Sequence, residues 1–110
     1  MELTENDIME VNLLNGIETI TINSDEQIEQ IVKALSSQTR RNILRLIQME
    51  HEDGLDVSNI ASKLEMTEAN ISAQIKKLET AGLIQCDYSS GQHGIRKISK
   101  LKYQKLTIAF

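Results

Sequence analysis

Apolar and polar positions alternate with different periods along this 110-residue chain, and each change of period marks an element. Residues 1–16, rich in Glu, Asp and Asn, keep no consistent period, which predicts a loosely attached leader. Residues 17–22, Ile-Glu-Thr-Ile-Thr-Ile, are β-branched with Ile20 and Ile22 on one side, and predict a short strand. Ile28, Ile31, Val32 and Leu35 then fall at i, i+3, i+4 and i+7, the stripe of an amphipathic helix. Ser24 caps it, with Gln27 in the return position of a capping box, and it stops near Ser36. A second helix starts from the cap Ser37 and runs through Ile43, Leu44, Leu46 and Ile47 to about Glu50, before the turn-forming His51-Glu52-Asp53-Gly54.

The third helix is short. Asp56 caps it, it covers 57–64, and Val57, Ile60, Ala61 and Leu64 share one face. After a break at Glu65 and Met66, Thr67 caps a fourth helix with Ile71, Ile75 and Leu78 turned inward, and Gly82 supplies the left-handed residue that ends it. The period then drops to two. Over 83–88, Ile84, Cys86 and Tyr88 oppose Gln85 and Asp87, a loop follows over 89–94, and a basic strand returns over 95–98. A last alternating segment, 103–110, aligns Leu106, Ile108 and Phe110.

Two short helices joined by a tight turn and followed by a hairpin with a Gly-containing tip predict a mainly α winged helix-turn-helix. It has a three-helix core plus an N-terminal helix and a small antiparallel β wing. The domain division is a leader and short strand over 1–24 and the winged unit over 25–110. Composition adds exclusions. Apolar residues are 40% and charged residues 25% of the chain, which is ordinary globular usage. No apolar run reaches the roughly 20 residues of a membrane helix and the acidic N-terminus is unlike a secretory signal, so the expectation is a cytoplasmic protein. Cys86 is the only cysteine, and with His51 and His93 it forms no metal-ligand spacing, so no cofactor or metal is expected. No nucleophile elbow, phosphate-cradling glycine loop or zincin motif is present, and no enzyme is expected.

Net charge is −4, which argues against a polyanion partner until the chain is divided. Residues 1–66 hold 5 Lys/Arg against 13 Asp/Glu, whereas 67–110 hold 7 against 3. The basic part contains the fourth helix and the wing. The outward face of that helix carries Thr67, Glu68, Asn70, Ser72, Ala73, Gln74, Lys76 and Lys77. A major groove admits a helix, Asn and Gln pair bidentately with adenine, Ser and Thr take either role, and Lys neutralises phosphate or reads guanine. His93, Arg96 and Lys97 on the wing would meet flanking phosphates or the minor groove. Cys86, in an alternating strand, is expected to be a buried small apolar group.

Residues 34–47, ALSSQTRRNILRLI, resemble the helix that precedes the DNA-binding unit of ArsR-like regulators. Residues 57–64, VSNIASKL, resemble that family's positioning helix. Residues 67–83, TEANISAQIKKLETAGL, resemble its recognition helix with the Leu-x-x-Ala-Gly-Leu exit into the wing. The resemblance implies a prokaryotic transcriptional regulator, read as a repressor, with Ser72 and Gln74 as base readers and Arg40 or Arg41 on phosphate. Double-stranded DNA is the expected partner, and since one recognition helix reads only a few base pairs, a homodimer on a palindromic site is expected, with the apolar stripe of the first helix as its interface. The Cys-x-Cys pattern of the family's metal sensors is missing from 57–64, so metal sensing is not expected. The family ends in a dimer-building helix, whereas residues 105–110 are an apolar strand. That strand either pairs with 17–22 in the same or a second subunit, or the chain is the N-terminal part of a longer regulator. A different class of function stays open: winged helices also dock partner proteins through the same polar face.

Overall fold

The computed structural model describes residues 9–50, 54–91 and 94–110. Four helices form, each where a polar cap meets an apolar stripe. They are α1 (Asp25–Leu35), α2 (Gln38–Glu50), α3 (Val57–Leu64) and α4 (Glu68–Thr80). Their side-chain caps are Ser24 on the Gln27 amide at 3.4 Å, Ser37 on Arg40 at 3.3 Å, Asp56 on Asn59 at 2.8 Å and Thr67 on Asn70 at 3.1 Å. Each oxygen satisfies an amide that the first helical turn leaves without a partner. At the other end, α3 and α4 stop in the same way. Met66 N–H reaches back to the Ala61 carbonyl and Leu83 N–H to that of Leu78, each around a left-handed residue, Glu65 (φ 55°) and Gly82 (φ 79°). The break expected at Glu65 is therefore the tight turn of the helix pair, made without glycine.

Among the described residues, six strands build two three-stranded antiparallel sheets. One has the order β3-β5-β4, with β3 (Leu55–Asp56), β4 (Ile84–Gly91) and β5 (Gly94–Leu101). The other has the order β2-β1-β6, with β1 (Glu10–Asn15), β2 (Glu18–Ile22) and β6 (Lys105–Ala109). Strand makes up about 34% of the described residues, so the winged helix-turn-helix elements are present while the mainly α expectation is not confirmed.

Two differences account for the extra strand. Residues 10–15, expected to belong to a loose leader, are the central strand of the second sheet. Val11 and Leu13 are buried in the core while facing Ile22 and Ile20 on one side and Ile108 and Leu106 on the other. β6 thus pairs with β1, not with the 17–22 segment. The wing is also longer than expected: Ser89, Ser90 and Gly91 are paired with Arg96, Ile95 and Gly94 and are strand rather than loop. The extra pairs draw on backbone hydrogen bonding and need no apolar side chains, so the polar Ser-Ser-Gly run hid them.

All of these elements share one core. Ile28, Ile31 and Ala34 of α1, Ile43 and Ile47 of α2, Ile60 and Ala61 of α3, and Ile71, Ile75 and Leu78 of α4 close on Val11, Leu13, Leu55, Leu83 and Ile84. The α1 stripe is therefore spent inside the protomer. Only Val32 of the expected stripe stays exposed, which removes α1's apolar face as a ready dimer interface. Cys86 is half-buried with its Sγ 3.5 Å from the hydroxyl of the fully buried Ser99, and burial pushes the thiol up from its ordinary range. It stays a protonated thiol at neutral pH, as a small core group should. Among the described residues, no helix is long and apolar enough to cross a membrane.

Candidate nucleic-acid interface

α4 divides cleanly by face. Ile71, Ile75 and Leu78 have no exposed surface, while Glu68, Asn70, Ser72, Ala73, Lys76 and Lys77 are exposed and Gln74 is half-buried. The helix therefore lies across the body with a polar outer side, beside the hairpin of β4 and β5. Two concavities flank it. One, of about 360 Å³, runs between Glu68 and Ser72 of α4 and Arg96 and Lys97 of the wing. The other, of about 540 Å³, separates α4 from α1 and is rimmed by Lys33, Arg40, Lys76 and Lys77.

The expected site residues are not equally free. Among the described residues, Lys76 and Lys77 lie within 4.0 Å of no carboxylate. Arg40, by contrast, is anchored by its Nε on the Ala34 carbonyl at 2.7 Å, its Nη2 on that of Lys33 at 2.9 Å and its Nη1 on Gln74 Oε1 at 2.7 Å. Arg41 donates to the Leu35 carbonyl at 2.7 Å. Both arginines start α2, where cations are mildly disfavoured, yet they are held by the carbonyl end of α1, which favours them. Gln74 continues the chain by donating from Nε2 to Asn70 Oδ1 at 3.1 Å. Thr67 acts as the α4 cap.

On the wing, Arg96 is drawn back to the body. Its Nε and Nη2 lie 2.7 and 2.6 Å from Asp56 Oδ2, while the other oxygen of Asp56 caps α3. Lys97 sits 3.7 Å from Glu79 Oε1. His93 lies outside the described residues. Asp56, Glu79 and the cleft residue Lys33 are thus part of the site's electrostatics although sequence reasoning did not include them. The pairs Arg96–Asp56 and Arg40–Gln74 are separated by 40 and 34 positions, and no periodicity reports on such contacts.

One carboxylate performing two tasks makes a measurable prediction. Asp56→Ala removes both the α3 cap and the Arg96 pair and should lower stability by about 2 kcal/mol, whereas Asp56→Asn retains a capping oxygen and should lose about half as much. Urea denaturation of the two variants checks this, and equal losses would mean that the cap contributes little.

A model of a helix-turn-helix domain family matches residues 35–86, from the last residue of α1 into β4. The crystal structure of an ArsR family transcriptional regulator resembles the chain with a TM-score of 0.58 at 25% identity, over 72% of this chain and 74% of that one. That of a possible transcriptional regulatory protein (fragment 1–100) from Mycobacterium bovis shares the fold, with a TM-score of 0.54 at 21% identity over 69% and 74%. A comparison with curated proteins gives no match. With α3 and α4 as its helix pair and the β4–β5 hairpin as its wing, the chain has a winged helix-turn-helix architecture similar to that of the ArsR family regulator.

Proposed function

We propose that this protein binds double-stranded DNA as a transcriptional regulator, with α4 in the major groove and the wing on the flanking backbone. The observation that carries the reading is the two-sided α4, apolar and fully buried inward and polar outward, with two exposed lysines that meet no carboxylate among the described residues, beside the β4–β5 hairpin. A groove wide enough for a helix accepts such a rod, and the lysines gain from counterion release at phosphates. Ser72 and Ala73 face outward for base edges, and Arg96 and Lys97 lie in the outer half of the wing, opposite Ser89 and Tyr88. The acidic N-terminal half lies on other elements and helps orient the approach. One recognition helix reads only a few base pairs, so the regulator acts as a homodimer on a two-fold symmetric site, and occupancy of such a site in a promoter makes it a repressor.

Salt tests this directly. Fluorescence anisotropy with duplex DNA should show log affinity falling linearly with log salt, each neutralised phosphate contributing roughly 0.9 to the slope. Lys76→Ala/Lys77→Ala should weaken binding about tenfold or more at low salt and flatten the slope by roughly 2. If the folded wild-type protein ignores duplex DNA at low salt, the polar face of α4 serves a partner protein and the DNA reading fails.

A further inference from the structure

The chain of contacts running from α1 into α4 fixes which way two amides face, and this has a consequence for base choice. Arg40 bears only donors, so the atom of Gln74 that meets its Nη1 at 2.7 Å is the carbonyl oxygen Oε1. The Gln74 amino group is then the end that reaches Asn70, and the atom receiving it at 3.1 Å is Asn70 Oδ1. Both carbonyls are thereby engaged within the protein. What remains is one N–H of Gln74, the two of Asn70 and a single lone pair on each oxygen, a surface weighted towards donors. Arg40 itself is held by the Lys33 and Ala34 carbonyls, so the polarity of the whole row is dictated from the C-terminal end of α1.

Resting on the DNA-binding reading, we propose that Asn70 and Gln74 present hydrogen-bond donors to the major groove and select guanine, and that Arg40 is the positioning residue that sets this choice. Adenine offers an acceptor at N7 and a donor at N6, so an amide recognises it by using its oxygen and its nitrogen together. Here the oxygen of each amide is already held on an internal donor, so pairing both atoms with adenine competes with that bond. Guanine offers two adjacent acceptors, N7 and O6, and suits a surface weighted towards donors, which Lys76 on the same outer side reinforces and the Ser72 hydroxyl can serve. The adenine pairing expected from residue type alone is thus reversed by a contact that no base touches.

The experiment selects bound duplexes from a randomised library and then measures single-base replacements by anisotropy. Wild type should recover guanine at the α4 positions and lose about tenfold or more in affinity when a guanine there becomes adenine. Arg40→Met releases the Gln74 carbonyl and should bring the guanine-to-adenine ratio close to one or below it. Gln74→Glu gives a second route that keeps the Arg40 partner. Its carboxylate accepts from Arg40 but cannot donate to Asn70, whose amide turns to donate inward and shows its oxygen outward. That variant should prefer cytosine or adenine, whose amino groups donate. Circular dichroism confirms that both variants are folded. Adenine preference in the wild type, or the wild-type ranking retained in both variants, overturns the proposal while leaving DNA binding intact. Failure of the folded wild type to bind any duplex sinks the DNA reading and this inference with it.

Discussion

Gly54→Ala is expected to lower the unfolding free energy by about 3 kcal/mol and the Tm by roughly 15 °C. Two separate costs combine at this position. Gly54 has φ +71°, a conformation that L side chains adopt only with strain, and it lies just ahead of β3, where the chain comes against β5. A Cβ placed there would stand 2.6 Å from the Ser99 carbonyl oxygen, 2.8 Å from Lys100 Cγ and 2.9 Å from Ile98 Cγ2. The first of these is backbone within a paired strand and cannot swing aside. Gly16 separates the two costs, since its φ is +64° but a Cβ there meets nothing within 4 Å. Gly16→Ala should therefore cost only the conformational part, about 1 kcal/mol. Thermal unfolding followed by circular dichroism checks the contrast, and similar losses at both sites would show that β5 yields to accommodate the methyl group.

The second large effect lies in β1. Leu13→Ala should reduce stability by roughly 3 kcal/mol, because Leu13 is 3% exposed and its removal leaves a void between the second sheet and the helices. Leu14, its neighbour in sequence, points to the other side of the strand and is only half-buried, so Leu14→Ala should cost clearly less. Urea midpoints at unchanged m-value provide the measurement. If neither substitution moved the midpoint, residues 10–15 would be a detachable leader after all.

Helices were legible because their causes are local. Ser24, Ser37, Asp56 and Thr67 announce helix starts within three residues of the amides they satisfy, and all four make the expected bond. The inward face of α4 followed from the spacing of Ile71, Ile75 and Leu78 alone. Strand β1 was hidden because its Leu13-Leu14 step breaks the alternation and because the partner that makes it central, β6, lies at the opposite end of the sequence. The site behaved likewise. Exposure of Ser72, Ala73, Lys76 and Lys77 followed from helical phase, whereas the commitments of Arg40, Gln74 and Arg96 depend on which elements meet in space. Residue type correctly identified these side chains as polar and outward-leaning, but could not say which of their atoms were already in use. The resemblance of 34–47 to the start of an ArsR-like unit located Arg40 and Arg41, and the fold explains their place there as anchors on the end of α1.

The pairing of β1 with β6 also orders events during synthesis. Val11 finds Ile108, and Leu13 finds Leu106, only after everything from β2 through β5 has been made. Until then the β1–β2 hairpin carries an open edge, while β3, β4 and β5 already have their partners. A nascent chain stalled before β6 should therefore be sticky along β1, and that vulnerability closes only when β6 arrives.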